Sequence, residues 1–225
     1  MLTKRRHAGS VGDELPELMS AWVHAWTRSR QTALPTHTSY GLRYEVGDSF
    51  GTVRRVPMDP SLPSLLEAVA DSGPGASCIK LVGDPAIWRP RFPRTWDPDG
   101  DQWLMQGVMQ SDVPQVPEGY QLSVRETSGR VEVALTDSLG CLAASGQAGI
   151  HIGWAVPDLI STHPAHRRRG LGKVVMAEIH RAVMRQGADQ ALLVATPDGR
   201  YLYSSLGYRV VSPVTAAYLH RPISC

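Results

Sequence analysis

The stretch Asp158-Leu-Ile-Ser-Thr-His-Pro-Ala-His-Arg-Arg-Arg-Gly-Leu-Gly-Lys173 constrains this chain more than any other. It reads as a strand over about Asp158–Thr162 that ends at His163-Pro164. Arg167–Gly172 then opens a helix whose apolar stripe is Leu171, Val174, Val175, Ala182 and Val183, with Ile179 between, and Gly187 ends it. The first amides of a helix have no intrahelical partner, and the aligned peptide dipoles make that end positive. Gly170 and Gly172 remove side chains where a ligand would approach, and Arg168, Arg169 and Lys173 add charge. Together these describe an anion site of pyrophosphate size. The spacing is neither the G-x-x-x-x-G-K-[ST] of a P-loop nor the G-x-G-x-x-G of a dinucleotide turn. Taken alone, R-x-x-G-x-G also describes a solvated basic helix start.

The downstream context decides between the two. Gln190–Thr196 reads as a strand, Pro197-Asp198-Gly199 as a turn and Arg200–Leu206 as a short helix, within which begins Leu202-Tyr203-Ser-Ser-Leu-Gly207-Tyr208. This series of strand, H-P-x-x-R-x-x-G-x-G, long helix, strand, short helix and L-Y-x-x-x-G-[FY] resembles the acetyl-CoA-binding half of the GCN5-related N-acetyltransferase (GNAT) superfamily. The resemblance covers roughly residues 120–211. It implies an α/β fold with a mixed, mostly antiparallel central sheet flanked by helices. It also implies that the motif strand splays from its parallel neighbour, so that the pantetheine arm of acetyl-CoA pairs with Ile160, Ser161 and Thr162. The pyrophosphate would lie on the amides of Arg168, Arg169, Gly170, Leu171, Gly172 and Lys173, with Arg167 opening the motif. Tyr203 takes the place of the general acid. Asp158 is the best base on the motif strand, with Glu132, His151 and His163 weaker. The implied activity is N-acetyl transfer to a primary amine of a small molecule by direct attack. A protein lysine or N-terminal acetyltransferase and a non-catalytic CoA-sensing module are the alternatives. Two departures stand out: Asp198-Gly199 replaces the asparagine common after the fifth strand, and only a short turn separates Arg125 from Arg130, where the family has two helices. Either Gln121–Arg125 is not the usual first strand, or the first half of the chain supplies that layer.

That first half has its own texture. Leu15, Leu18, Met19, Trp22, Val23 and Trp26 fall at helical spacing over Glu14–Arg30, with Asp13 as N-cap and Pro16 in the first turn. Strands are expected at Gly41–Val46 and Thr52–Val56, joined through Gly47-Asp48, then a helix over Ser61–Ala70 and a buried strand over Cys78–Val82. This order suggests a degenerate GNAT-like half that lacks the anion-binding turn and helps to build the acceptor pocket. Trp22 and Trp26 are either core or a wall of that pocket. Asp84–Asp101, with Trp88 and Trp96, reads as an irregular loop, pinned to the core or covering the substrate. After a strand at Trp103–Met109, the extended Val113–Glu118 divides the chain into residues 1–117 and 118–225. Strands at Gln121–Arg125, Val131–Thr136 and Cys141–Ser145 form a meander.

Charge and cysteine usage narrow the classes further. With 23 basic and 21 acidic residues the net charge is +2, too balanced for a nucleic-acid binder. Cys78, Cys141 and Cys225 show no metal-ligand spacing, so no metal is expected, and their scarcity suits a reducing cytoplasm. The basic start, Met1–His7, lacks the apolar core of a signal peptide, and no stretch is apolar enough to cross a membrane. The expected partner is a small-molecule amine, with neither nucleic acid nor membrane. The oligomeric state stays open, a homodimer included.

Overall fold

Helix α1 (Val11–Arg30) buries the apolar face read from its sequence, including Met19, Trp22, Val23 and Trp26. It starts before Asp13, so Pro16 lies inside the helix rather than in its first turn. The chain continues through β1 (Thr36–His37), β2 (Gly41–Glu45), β3 (Val53–Pro57), α2 (Leu62–Ala70), β4 (Ser77–Val82), α3 (Pro85–Trp88), β5 (Asp97–Pro98) and β6 (Gln102–Val108). There follow β7 (Tyr120–Thr127), β8 (Arg130–Asp137), β9 (Leu142–His151), β10 (Trp154–Thr162), α4 (Leu171–Arg185), β11 (Gln190–Ala195), α5 (Pro197–Ser205) and β12 (Arg209–Leu219). The structure, a computed structural model, describes residues 11–47, 52–73, 75–109, 112 and 114–219. The basic start Met1–His7, Asp48, Val113 and Cys225 lie outside the described residues, as do the side chains of residues 11–13 and so the expected Asp13 cap.

The strands join in one sheet, ordered β1-β2-β3-β4-β12-β6-β11-β10-β9-β8-β7, with β5 attached to β12. Among the described residues only β3–β4 and β10–β11 pair in parallel. Apart from the two-residue β5, the chain runs strand, strand, helix, strand, helix, strand twice over, as β2-β3-α2-β4-α3-β6 and as β9-β10-α4-β11-α5-β12. The mixed, mostly antiparallel sheet and the degenerate first half are therefore present. The last strand of each half crosses into the other: β6 pairs with β11 and β12, and β12 with β4 and β6. Position 117/118 falls between β6 and β7, and the sheet runs continuously from one side of it to the other.

The helix layer missing between β7 and β8 comes from the first half, since α1 packs across β9 and β10. Gly149 of β9 permits this contact. A Cβ there would overlap the Ala25 carbonyl oxygen and stand 2.5 Å from the Ser29 nitrogen. Gly146 faces the opposite way, where a Cβ would stand 2.5 Å from Ile160 Cδ1 and 2.7 Å from Val175 Cγ1 of α4. Asp84–Asp101 is less irregular than its prolines suggest. It holds α3, a 3-10 turn at Arg89–Arg91 and β5. Trp88, Phe92 and Trp96 bury their rings with Leu65, Ile79 and Leu81, so the segment is pinned to the core.

The buried His180 of α4 gives the fold an acid-sensitive element. Its Nε2 lies 2.8 Å from the Tyr208 hydroxyl, and burial pushes its pKa down from 6.5 to about 4. Between those values the unfolded chain binds the proton first, so stability is complete above pH 6.5 and falls as the pH drops toward 4. The expected loss is about 3 kcal/mol from this group. Urea unfolding at pH 7, 5.5 and 4.5 checks it: His180→Gln should flatten the slope, and an identical slope in the variant would remove His180 as its source.

Candidate functional site

The site begins with a break in strand pairing. β10 runs beside β9, but it pairs with β11 only at Trp154↔Gln190 and Ala155↔Ala191. Beyond Ala155 the two parallel strands part. Pro157, which has no N–H to offer a neighbour, stands just past that point. The register then shifts between Asp158 and Ser161, so that Leu159 and Ile160 together oppose Gly146. This is a β-bulge, with Leu159 in the left-handed region at φ 53°. The backbone of Ile160, Ser161 and Thr162 thus borders a gap rather than a neighbouring strand.

The turn after β10 forms a cradle of backbone amides. His163 Nδ1 accepts from the Ala165 N–H at 3.4 Å and caps a 3-10 turn at Pro164–His166. Arg168 (φ 60°) and Gly170 (φ 80°) are both left-handed, and Gly170 is the N-cap of α4. Alternating backbone conformations of this kind turn successive N–H groups inward on one concavity. Among the described residues no turn or cap uses the N–H of Arg168, Arg169, Gly170, Leu171 or Gly172, whereas that of Lys173 donates to Gly170 O at 2.9 Å. Lys173 therefore offers its ammonium and not its amide. A Cβ at Gly170 would meet nothing within 4 Å, so the space before the cradle is open and the glycine serves the backbone conformation. At Gly172 a Cβ would reach Leu202 Cδ2 at 3.6 Å and Thr162 Oγ1 at 3.8 Å, which is ordinary contact. Free amides, a positive helix end, open space and exposed arginines fit a diphosphate.

Arg167, Arg169 and Lys173 play different parts. Arg167 Nε donates to Thr162 O at 3.4 Å, folding back over the strand end. Arg169 Nη1 donates to the Tyr120 hydroxyl at 2.9 Å, and that hydroxyl lies 2.9 Å from His166 Nδ1. These bonds tie the cradle to the β7–β8 hairpin. Lys173 lines a pocket of about 350 Å³ between α4 and α5, with Met176, Ala177, His180 and Leu206 among its walls.

Tyr203 and Asp158 come from different elements, α5 and β10, and lie within electrostatic reach of each other. Tyr203 lies on α5, which starts at Pro197 rather than Arg200; Thr196 caps it by accepting from Gly199 N at 3.4 Å. The Tyr203 ring packs against Tyr208 with centroids 5.7 Å apart. Burial pushes its phenol up to about 12, and the Asp158 carboxylate adds to the rise. Asp158 itself is held by a residue that sequence reasoning missed. Arg30, at the end of α1, pairs with both of its oxygens, and Ser29 Oγ donates to Oδ2 at 3.2 Å. The Ser29 carbonyl in turn accepts from Arg130 Nε at 2.8 Å and Gln147 Nε2 at 2.9 Å. The end of α1 is thereby stitched to β8, β9 and β10. Of the weaker base candidates, Glu132 pairs with Arg130, and His151 stacks on His24 with centroids 4.6 Å apart.

The family model for FR47-like proteins matches residues 158–217, the part that holds this cradle and Tyr203. No curated protein sequence matches the chain. Several solved structures do match in fold. A GCN5-related N-acetyltransferase from Kribbella flavida is 16% identical, with a TM-score of 0.63 over 92% of this chain and 96% of that one. One from Sphaerobacter thermophilus is 10% identical, with a TM-score of 0.54 over 95% of each chain. A tandem GNAT protein from the clavulanic acid biosynthesis pathway is 12% identical, with a TM-score of 0.56 over 95% of this chain and 97% of that one. The two-half plan therefore has a counterpart in a known tandem protein. By its sheet, its two halves and its FR47-like segment, the chain has the fold of the GCN5-related N-acetyltransferases.

Proposed function

We propose that the protein is an acetyl-CoA-dependent N-acetyltransferase acting by direct attack of a small-molecule primary amine. In this reading residues 118–225 bind the thioester and residues 1–117 help to form the acceptor pocket. One observation carries it: β10 and β11 part just before an unused run of helix-start amides, and a phenol within electrostatic reach of the same strand keeps its proton to about 12. Acetyl-CoA, when bound, supplies an activated acyl carbonyl. Backbone N–H groups along Ile160–Thr162 polarise that carbonyl and hold the charge that develops on its oxygen. Tyr203 keeps its proton at neutral pH and gives it to the departing sulfur. Asp158, oriented by Arg30, takes a proton from the incoming ammonium, directly or through water. Holding both reactants in one gap removes the entropic cost of their encounter. The packing of α1 over β9 and β10 favours a small acceptor over a peptide, which needs an open groove.

Calorimetric titration with acetyl-CoA, followed by an amine-library screen for free thiol release, tests the reading. No binding of acetyl-CoA would end it. Gly170→Val is expected to weaken acetyl-CoA binding at least 30-fold, because β-branched residues resist positive φ and would distort the cradle. The substitution should cost the fold only about 1–2 kcal/mol. Unchanged affinity in a folded variant would remove the cradle from the binding site.

A further inference from the structure

The sheet curls around α1, so that strands distant in its order meet at one end of the helix. The Trp26 ring of α1 lies 5.3 Å from Tyr44 of β2, while the Arg54 guanidinium of β3 sits over it at 4.9 Å and that of Arg30 at 5.0 Å. Lys80 of β4 lies 5.7 Å from the Trp22 ring. Three cations thus converge on two indoles. Only Arg30 has a carboxylate partner, Asp158; neither Arg54 nor Lys80 forms an ion pair among the described residues.

Buried charges are ordinarily paired. The neighbouring Arg55 shows what a structural arginine looks like on this strand. It donates to Asp71 Oδ2 at 2.7 Å, Asp71 O at 2.7 Å and Ser77 Oγ at 3.2 Å. Arg54, next in sequence and on the α1 side, has a buried Nε with no hydrogen-bond partner. The Tyr44 hydroxyl beside it, on a residue only 2% exposed, has no well-formed hydrogen bond either; its near neighbour is the Arg54 guanidinium itself. Lys80 Nζ donates only to Gln102 Oε1, at 2.6 Å, among the described residues. Gln102 in turn donates to Asp99 Oδ2 at 2.7 Å, so Lys80 feels Asp99 as well as Asp158, and the unsatisfied donor of the cluster is centred on Arg54. Asp158 acts electrostatically on Tyr44, on Lys80 and on Tyr203, so the cluster and the phenol share one carboxylate neighbour.

We propose that the acceptor is an amine that also carries a carboxylate, seated by Arg54, Lys80 and Tyr44 beneath Trp22 and Trp26, with its amino group toward Asp158. This rests on the acetyl-transfer reading and specifies its acceptor. A planar carboxylate matches the fork of a guanidinium and satisfies the orphaned Nε and hydroxyl together. The opposite ends of such a molecule then find opposite charges, Arg54 and Lys80 for the acid and Asp158 for the ammonium.

The test compares matched pairs: L-leucine with isopentylamine, L-phenylalanine with phenethylamine and L-lysine with cadaverine. Binding is followed by tryptophan fluorescence, with saturating CoA and without it. At least one acid is expected to bind tenfold or more tightly than its amine. Arg54→Gln and Lys80→Gln should each cut that preference below threefold while leaving acetyl-CoA affinity unchanged. Equal binding within every pair, no binding by either series, or a preference that survives both substitutions would overturn the proposal. Failure to bind acetyl-CoA, read separately by calorimetry, strikes the acetyl-transfer reading instead.

Discussion

Tyr203→Phe is expected to lower kcat by about 100-fold, within the usual range for removal of a general acid, and to change acetyl-CoA affinity by less than threefold. The reason is geometric and electrostatic. The phenol is carried by α5, which directly follows β11, and burial and Asp158 hold its proton to about 12. An ordinary thiol has a pKa near ~8.5, so a phenol in this state can protonate a departing thiolate throughout the working range. The substitution keeps the ring and its packing on Tyr208, so fold and cofactor grip should survive. The wild-type rate should also show no alkaline decline from this group below about pH 11. A kcat for the phenylalanine variant equal to wild type across pH 6–10, by thiol-release assay, would exclude Tyr203 as the acid.

Gly149→Ala should be severely damaging for a single methyl group. The new carbon would occupy the position of the Ala25 carbonyl oxygen and crowd the Ser29 nitrogen. Both are backbone atoms of α1, so neither can rotate away. The helix must lift, taking with it Trp22, Trp26 and the Arg30–Asp158 pair. A cost of about 3 kcal/mol or more is expected, at the top of the range for overpacking. Gly146→Ala supplies the control. Its new methyl would meet the side-chain ends of Ile160 and Val175, which can shift, so about 1–2 kcal/mol is expected. Urea midpoints of the two variants decide the matter. A Gly149→Ala midpoint as high as that of Gly146→Ala would mean that α1 does not approach β9 closely.

The sequence made local devices legible and left long-range ones silent. The long helix, its glycine boundaries, the His-Pro turn and L-Y-x-x-x-G-[FY] are encoded within a few residues of one another, and α4, the cradle and α5 stand where those signals put them. Pro197-Asp198-Gly199 misled because a proline and an acidic residue suit the first turn of a helix as well as a loop. Trp103–Met109 read as a strand, but no local pattern says that it enters the sheet between β11 and β12. Arg30 and Asp158 are 128 positions apart, so only the folded chain reveals their pairing. Two signals were on the page. A proline inside the motif strand marks where pairing stops, and a lysine in the otherwise buried Ser77–Val82 strand marks an interior that is not purely apolar.

The exchange of final strands gives the molecule a timetable. β4 is synthesised long before β12, its partner on one side, so the early half must wait with that edge open until the late half has been made. Contacts between such distant parts of a chain are slow to form. Neither half can complete its sheet alone, and the two should melt as one cooperative unit. Co-expressed as separate pieces, they should be recovered only together.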